Sequence, residues 1–291
     1  MSKFTHLAFV CFLAFFSAAF AQEPTSGQTE RASSSNQEKL SAQSDPPELE
    51  AYLKFRRWIN AQPEGNTPRG EMLEAYRAHL ADQGLTSTEI ETELEALRRG
   101  GKRQEVELWN QVLTAEQPRF NTAPNSFLVR MTEGVEPGTA LDVGMGQGRN
   151  AIFLAQEGWK VTGFDPAEEA VALAQELADK AGVEIATVIQ GSEEFAWDAD
   201  RWDLIVLSYV MVRPHIGQIK QALRSGGMVV LEAFHQDATQ NQSIGRGVVY
   251  ESNELLDLFS DFRIIQYEDT VATADFGRRE TRVVRLCAMK P

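Results

Sequence analysis

Ala140-Leu141-Asp142-Val143-Gly144-Met145-Gly146-Gln147-Gly148-Arg149-Asn150 is the stretch on which the reading of the chain turns. An apolar run ends at an acidic residue, three glycines alternate with other residues, and a helical pattern follows. That order predicts a strand, a tight turn and a helix N-terminus. Glycine lacks a Cβ, so the backbone can adopt positive φ and a ligand can approach it closely. The unpaired N–H groups of the next helix favour a negative or polar ligand group.

Downstream, strand and helix patterns alternate. The expected strands are Ala140–Val143, Trp159–Phe164, Glu184–Ile189, Asp203–Ser208 and Met228–Phe234. The expected helices between them are Asn150–Gln156, Ala167–Ala181 and His215–Leu223, with Gly226-Gly227 as the stop for the last. A helix over Asn253–Phe259 and two strands, Phe262–Glu268 and Arg282–Met289, complete the chain. Strands separated by helices imply βαβ units and a largely parallel sheet. The last two strands have no helix between them and read as a hairpin.

In such a sheet the ligand lies at the carboxyl ends of the strands. Gly144, Gly146 and Gly148 follow the first strand, and Asp165-Pro166 follow the second. An acid at the second position accepts hydrogen bonds from ribose hydroxyls, which suits several nucleoside cofactors equally. A dinucleotide fingerprint runs G-x-G-x-x-G. Here the third glycine arrives one residue early, and Arg149 occupies its place, which argues against an NAD(P) oxidoreductase. Ser192 and Glu193 follow the third strand, with the aromatic Phe195 and Trp197 just beyond. Ser208 and Tyr209 follow the fourth strand, and His235 and Asp237 the fifth. Phe120 and Asn121, ahead of the first strand, are further candidate contacts.

Asp142 two residues before this glycine trio resembles motif I of the class I S-adenosylmethionine (AdoMet) methyltransferases. The continuation Gly148-Arg149-Asn150-Ala151 narrows the resemblance to the tellurite-resistance methyltransferase family. Asp203-Leu204-Ile205-Val206-Leu207-Ser208-Tyr209-Val210-Met211, Glu254-Leu255-Leu256 and Tyr267-Glu268-Asp269 are similar to later parts of that family. The resemblance spans about Phe120 to the C-terminus. It implies an α/β, seven-stranded Rossmann-like class I methyltransferase fold over 116–291. It also implies AdoMet as cofactor, held by Asp142, Gly144, Gly146, Gly148, Asn150, Asp165, Pro166, Ser192, Glu193 and Ser208, and a small-molecule methyl acceptor. Met145 stands where the family has cysteine, and its His-Arg pair is not evident after Asp269, where Arg278 and Arg279 lie nearby.

A sulfonium methyl is already activated, so alignment supplies most of what transfer needs. Where a general base is required, His235 and Tyr209 are the leading candidates, with His215 a third. Arg213, Arg246, Arg278 and Arg279 are candidates to pair an anionic acceptor. The histidines and scattered acids show no metal-ligand spacing.

The formal net charge of −14 excludes a basic nucleic-acid face as the default reading. Lys3, the apolar run Leu7–Phe16 and Ala19-Phe20-Ala21 read as a secretory signal peptide over 1–21, hence export, periplasmic in a Gram-negative cell. No later stretch is long and apolar enough to span a bilayer. Residues 22–47, rich in Ser, Gln, Thr, Glu and Pro, read as a disordered linker. Residues 48–115 show four amphipathic patterns, with Gly100-Gly101 separating the third from the fourth. This helical region is a candidate helical cap, dimerisation element or partner-binding module, and a role in covering the active site is among its readings. Export away from the cytosol, where AdoMet is made, motivates the alternative reading: a nucleoside-binding module without turnover.

Overall fold

The computed structural model describes residues 46–62, 71–240, 248–276 and 280–291. The signal-peptide residues, nearly all of the linker, and Arg246, Arg278 and Arg279 lie outside them. The chain divides into two units, Met1–Glu105 and Val106–Pro291.

In the first unit, α1 (Pro47–Asn60), α2 (Met72–Asp82) and the start of α3 (Ser87–Leu113) are described. Their apolar stripes supply a small core that includes Tyr52, Phe55, Leu73, Tyr76, Leu80, Ile90, Leu94 and Leu97. A capping box opens α3: Glu89 Oε2 accepts the Thr86 N–H at 2.8 Å, and Thr86 Oγ1 accepts the Glu89 N–H at 3.4 Å. Gly100-Gly101 does not stop this helix. α3 runs unbroken to Leu113, so the third and fourth expected helices are one. The reason is tertiary. A Cβ on Gly100 would lie 2.0 Å from the Glu48 carbonyl oxygen of α1. The glycine is there to let two helix backbones approach.

The second unit is built on a sheet in the order β3-β2-β1-β4-β5-β8-β7, with a short β6 paired to β5. Its strands are β1 (Thr139–Val143), β2 (Lys160–Asp165), β3 (Ala186–Ile189), β4 (Trp202–Ser208), β5 (Leu223–His235), β6 (Val249–Tyr250), β7 (Arg263–Thr273) and β8 (Glu280–Met289). Its helices are α4 (Ser126–Thr132), α5 (Arg149–Gln156), α6 (Glu168–Ala181), α7 (Ile216–Ala222) and α8 (Glu254–Leu258). β1 to β6 pair in parallel, whereas β8 runs antiparallel to both β5 and β7. The expected final hairpin is present, and β6 is an addition.

Alternate residues of the central strands enter two cores. Leu141, Val143, Ile205 and Leu207 join α7 and α8 on one side. Ala140, Leu204 and Val206 join α4, α5 and α6 on the other. Both faces are covered, which explains the near-continuous apolar runs of these strands. Gly226-Gly227, expected as a helix stop, lie inside β5. α7 has already ended at Ala222, and the glycines form a bulge where the register against β4 shifts between Trp202 and Leu204.

The two glycines of α3 provide a test. Gly100→Ala should destabilise the chain by about 1–3 kcal/mol, because the new methyl meets the backbone of α1. Gly101→Ala, whose Cβ would meet only Tyr52 Cδ2 at 4.0 Å, should stabilise it by about 0.5–1 kcal/mol. Urea unfolding followed by far-UV circular dichroism measures both, and equal effects would contradict this packing.

Candidate active site

The three glycines after β1 have φ of 62°, 54° and 79° at Gly144, Gly146 and Gly148. All three occupy the left-handed region that side chains avoid. Space forbids side chains as well. A Cβ on Gly144 would lie 2.4 Å from Val210 Cγ1, and one on Gly148 would lie 3.0 Å from the Ala174 Cβ of α6. Asp165, at the end of β2, locks the turn from the next strand. Its Oδ2 accepts the Gly146 N–H at 3.0 Å, and its Oδ1 accepts the Ala167 N–H at 2.8 Å. Pro166 is the residue between these anchors.

Two buried polar atoms on this stretch have no hydrogen-bond partner among the described residues: Asp142 Oδ2 and Gln147 Nε2. Burial drives the Asp142 carboxyl up to about 7, against the opposing pull of Arg149 and the Ala151 N–H. Asp165 is also raised by burial, against its two backbone N–H bonds. An acceptor and a donor thus stand desolvated and unfilled on the glycine turn, an arrangement that costs free energy unless a ligand completes it.

The motif's Arg149 and Asn150 reach away from the turn. Arg149 Nη1 donates to the carbonyls of Asn121 at 3.1 Å and Ala123 at 2.9 Å. Its Nη2 lies 3.5 Å from Ser208 Oγ, and Nη1 lies 3.7 Å from Asp275 Oδ2. Asn150 Oδ1 accepts the Asn125 N–H at 2.9 Å, while the Asn125 side chain caps α4 through the Leu128 N–H. Both residues therefore hold the segment ahead of β1 onto the start of α5.

Asn125 leads to a residue that the sequence pattern did not single out. Glu232 lies in β5 opposite Ser208 and is 2% exposed. It accepts hydrogen bonds from Asn125 Nδ2 at 3.0 Å, from Arg285 Nε at 2.8 Å, and from the Tyr209 hydroxyl. Its one trace in the sequence is an acid inside the apolar run Met228–Phe234.

Tyr209 has a left-handed φ of 57° at the end of β4. Its hydroxyl donates to Glu232 and accepts the Asp275 N–H at 3.1 Å. Burial, then the nearby Glu232 carboxylate, raise its pKa well above the ordinary tyrosine value. The phenol keeps its proton and acts here as a donor. Asp275 and Phe276, just past β7, fold back over this region. Phe276 stacks on Phe120 at 5.3 Å and meets Tyr209 at 5.8 Å.

His235 is placed differently. It is buried, with Nε2 3.1 Å from Ser252 Oγ and Nδ1 accepting the Asp237 N–H at 3.1 Å. Ser252, Asp269, Asp237 and Arg282 form its network. A polar cleft of about 710 Å³ beyond β5 is lined in part by Asp237, Arg213 and Glu254. Tyr209 and His235 thus belong to separate hydrogen-bond networks. His215 bonds Gln218 and stacks with Trp197. The Ser192 carbonyl accepts the Trp197 Nε1–H at 3.1 Å, and Glu193 is exposed. Phe195 and Trp197 pack on Phe164 in the core.

The profile of the family described as "Tellurite resistance protein TehB" matches residues 117–285. The chain belongs to the TehB family. The TehB match begins just after α3 and covers the glycine turn, Asp165, Tyr209, Glu232 and His235. Among curated relatives, "Probable S-adenosyl-L-methionine-dependent methyltransferase TehB" of Haemophilus influenzae is 25% identical over 161 residues, 53% of this chain and 56% of the relative. "Hemagglutinin 1" of Eikenella corrodens is 25% identical over 182 residues, 58% of this chain and 60% of the relative. The chain therefore spans less than two thirds of either relative. The crystal structure of N-methyltransferase NodS from Bradyrhizobium japonicum WM9, in complex with S-adenosyl-L-homocysteine, superposes with a TM-score of 0.51. It is 16% identical, with 64% of this chain and 98% of NodS covered. That likeness establishes the Rossmann-like methyltransferase fold.

The raised Asp142 has a measurable consequence. The carboxyl titrates at about 4 in an unfolded chain and at about 7 in the fold. Between those values the folded state holds the extra proton, so stability falls as pH rises through that window. Asp142→Asn removes this contribution. Its melting temperature should vary less between pH 4 and pH 7 than that of the ligand-free wild type, as measured by differential scanning calorimetry. A wild-type curve that rises across the window while the variant stays flat would refute the assignment.

Proposed function

We propose that the protein is an AdoMet-dependent methyltransferase that moves a methyl group to a small, soft acceptor, a thiol or a chalcogen oxyanion, by in-line displacement. The observation that carries this reading is the glycine turn with its unfilled Asp142 oxygen, in a chain of the TehB family. The residues fit the cofactor. The turn carries no side chain at three positions, and Gly144 is partly exposed. Asp142 offers a buried carboxylate oxygen to a cationic group, which would bring its pKa back down. A carboxylate has about four lone-pair sites. Asp165 uses one on each oxygen for Gly146 and Ala167, which leaves capacity for ribose hydroxyls. The bound cofactor supplies an activated sulfonium methyl.

The chain's own residues orient and enclose. Gly144, Gly146 and Gly148 set the depth of approach, and Asp142 and Asp165 fix orientation. Pro166, Ser192, Glu193 and Ser208 remain assigned to the cofactor side, and Asn150 holds Asn125 in place beside it. Tyr209, Phe276 and Phe120 bound the acceptor side with aromatic surface. Tyr209, whose one O–H proton goes to Glu232, positions the acceptor through the face of its ring. His235 is retained as the candidate base for acceptors that must lose a proton.

Among the described arginines near these residues, each is engaged. Arg149 is held by two carbonyls, Arg285 by Glu232 and Glu268, and Arg213 by Glu254. These bonds commit the three arginines to the fold, and both acceptor classes stay open, a thiol reacting as its thiolate. Export remains part of the proposal, on the strength of Leu7–Phe16 and the Ala19-Phe20-Ala21 site.

Isothermal titration should show AdoMet and S-adenosylhomocysteine binding, with NAD inert; NAD binding without AdoMet binding would sink the reading. With a panel of thiols, tellurite, selenite and amines, AdoMet consumption should be faster on the thiols and chalcogen oxyanions than on the amines. Binding without turnover across the panel would favour the non-catalytic module. N-terminal sequencing of the fractionated native protein should begin at Gln22 outside the cytosol, and a cytosolic protein retaining Met1 would overturn export.

A further inference from the structure

The last two turns of α3 touch three segments around the glycine turn. Leu113 lays its methyls on Gly146, where a Cβ would come within 3.1 and 3.4 Å of them. It is buried in a cluster with Phe120, Ala167 and Ala170, between the turn and the start of α6. Asn110, 4% exposed, accepts the Glu169 N–H on Oδ1 at 3.0 Å. α6 has Ala167 at its N-cap and no side-chain cap of its own. Asn110 therefore satisfies, from outside, a donor in the first turn that follows Asp165. Trp109 meets Phe276 edge-on at 6.1 Å, beside the Phe120 stack. Residues 109–113 precede the TehB match, so the family pattern does not supply them.

Each contact serves the cofactor side of the fold. The Leu113 methyls cover the central glycine with hydrocarbon and exclude water there. Dry surroundings strengthen hydrogen bonds made by Asp142 and Asp165 to a ligand. The Asn110 bond fixes the first turn of α6, and with it the backbone that Asp165 grips at Ala167. An apolar wall with a few placed polar groups is how small-ligand sites are lined. A wall already in place also lowers the ordering cost of binding.

We propose that the C-terminal end of α3 is the apolar roof of the nucleoside site, with Leu113 as the contacting residue and Asn110 and Trp109 as positioning residues. This deepens the AdoMet reading and rests on it. The roof is a contribution of sequence lying outside the family-matching region, and it sets cofactor affinity.

S-adenosylhomocysteine titrated into the full-length chain tests this. Leu113→Ala should raise its Kd about tenfold, the usual scale for loss of a small apolar contact in a pocket. Asn110→Ala should raise it several-fold, and Leu113→Met should restore near-normal binding. Glu107→Ala, on an exposed position of the same helix, should leave it unchanged. Trp109→Phe should lose the ligand-induced change in tryptophan fluorescence that the wild type shows. Melting curves identify any variant that fails to fold, in which case the Trp109→Phe signal carries the test. Wild-type affinity in Leu113→Ala, or a full fluorescence response in Trp109→Phe, overturns the roof while leaving the cofactor reading intact. A wild type that binds no S-adenosylhomocysteine overturns both.

Discussion

The turn between β1 and α5 holds its backbone in the left-handed region at three alternating residues, and Asp165 grips it from β2. This constraint organises the ligand end of the second unit. The turn brings α5 down against α6, with Gly148 facing Ala174, and lets Val210 and Leu113 close on main chain at Gly144 and Gly146. The Asp165 carboxylate ties the turn after β1 to the end of β2 through Gly146 and Ala167. A single acid thus connects two strand ends that are neighbours in the sheet but separated in sequence by a whole helix.

A second polar centre completes the picture on the β4–β5 side. Glu232 gathers Tyr209, Asn125 and Arg285 in a region otherwise filled with hydrocarbon. A buried carboxylate with one partner would be costly, but three donors, one of them charged, satisfy it. The result joins the end of β4, the cap of α4 and the middle of β8. Through Asn125 and Asn150 it also reaches the glycine motif. Arg285, itself raised because Glu232 and Glu268 outweigh its burial, extends the chain of charges to Glu268 and Arg130.

Much of this was legible locally. Glycine spacing, an apolar strand before it and a helical pattern after it are short-range signals, and they located the turn and Asp165. Gly100-Gly101 and Gly226-Gly227 were misleading for the same reason that Gly144 and Gly146 were informative. Glycine marks either a break or a close approach, and only the partner tells which. The partner of Gly100 is Glu48, distant in sequence, and the glycines of β5 accommodate a bulge opposite β4. Phe195 and Trp197 pack on Phe164, because β2 offers them an aromatic ring in the core.

The sequence by itself determined the alternation of strand and helix, the position of the glycine turn and the resemblance to the TehB family. Those properties depend on residue type and on spacings of a few residues. Only the tertiary structure decided that α3 is unbroken, that Glu232 is the shared acceptor behind Tyr209, that Tyr209 and His235 serve separate networks, and that Leu113 covers Gly146. Each of these depends on groups far apart along the chain. Their hydrogen bonds and contacts exist only once the sheet has brought the strand ends together.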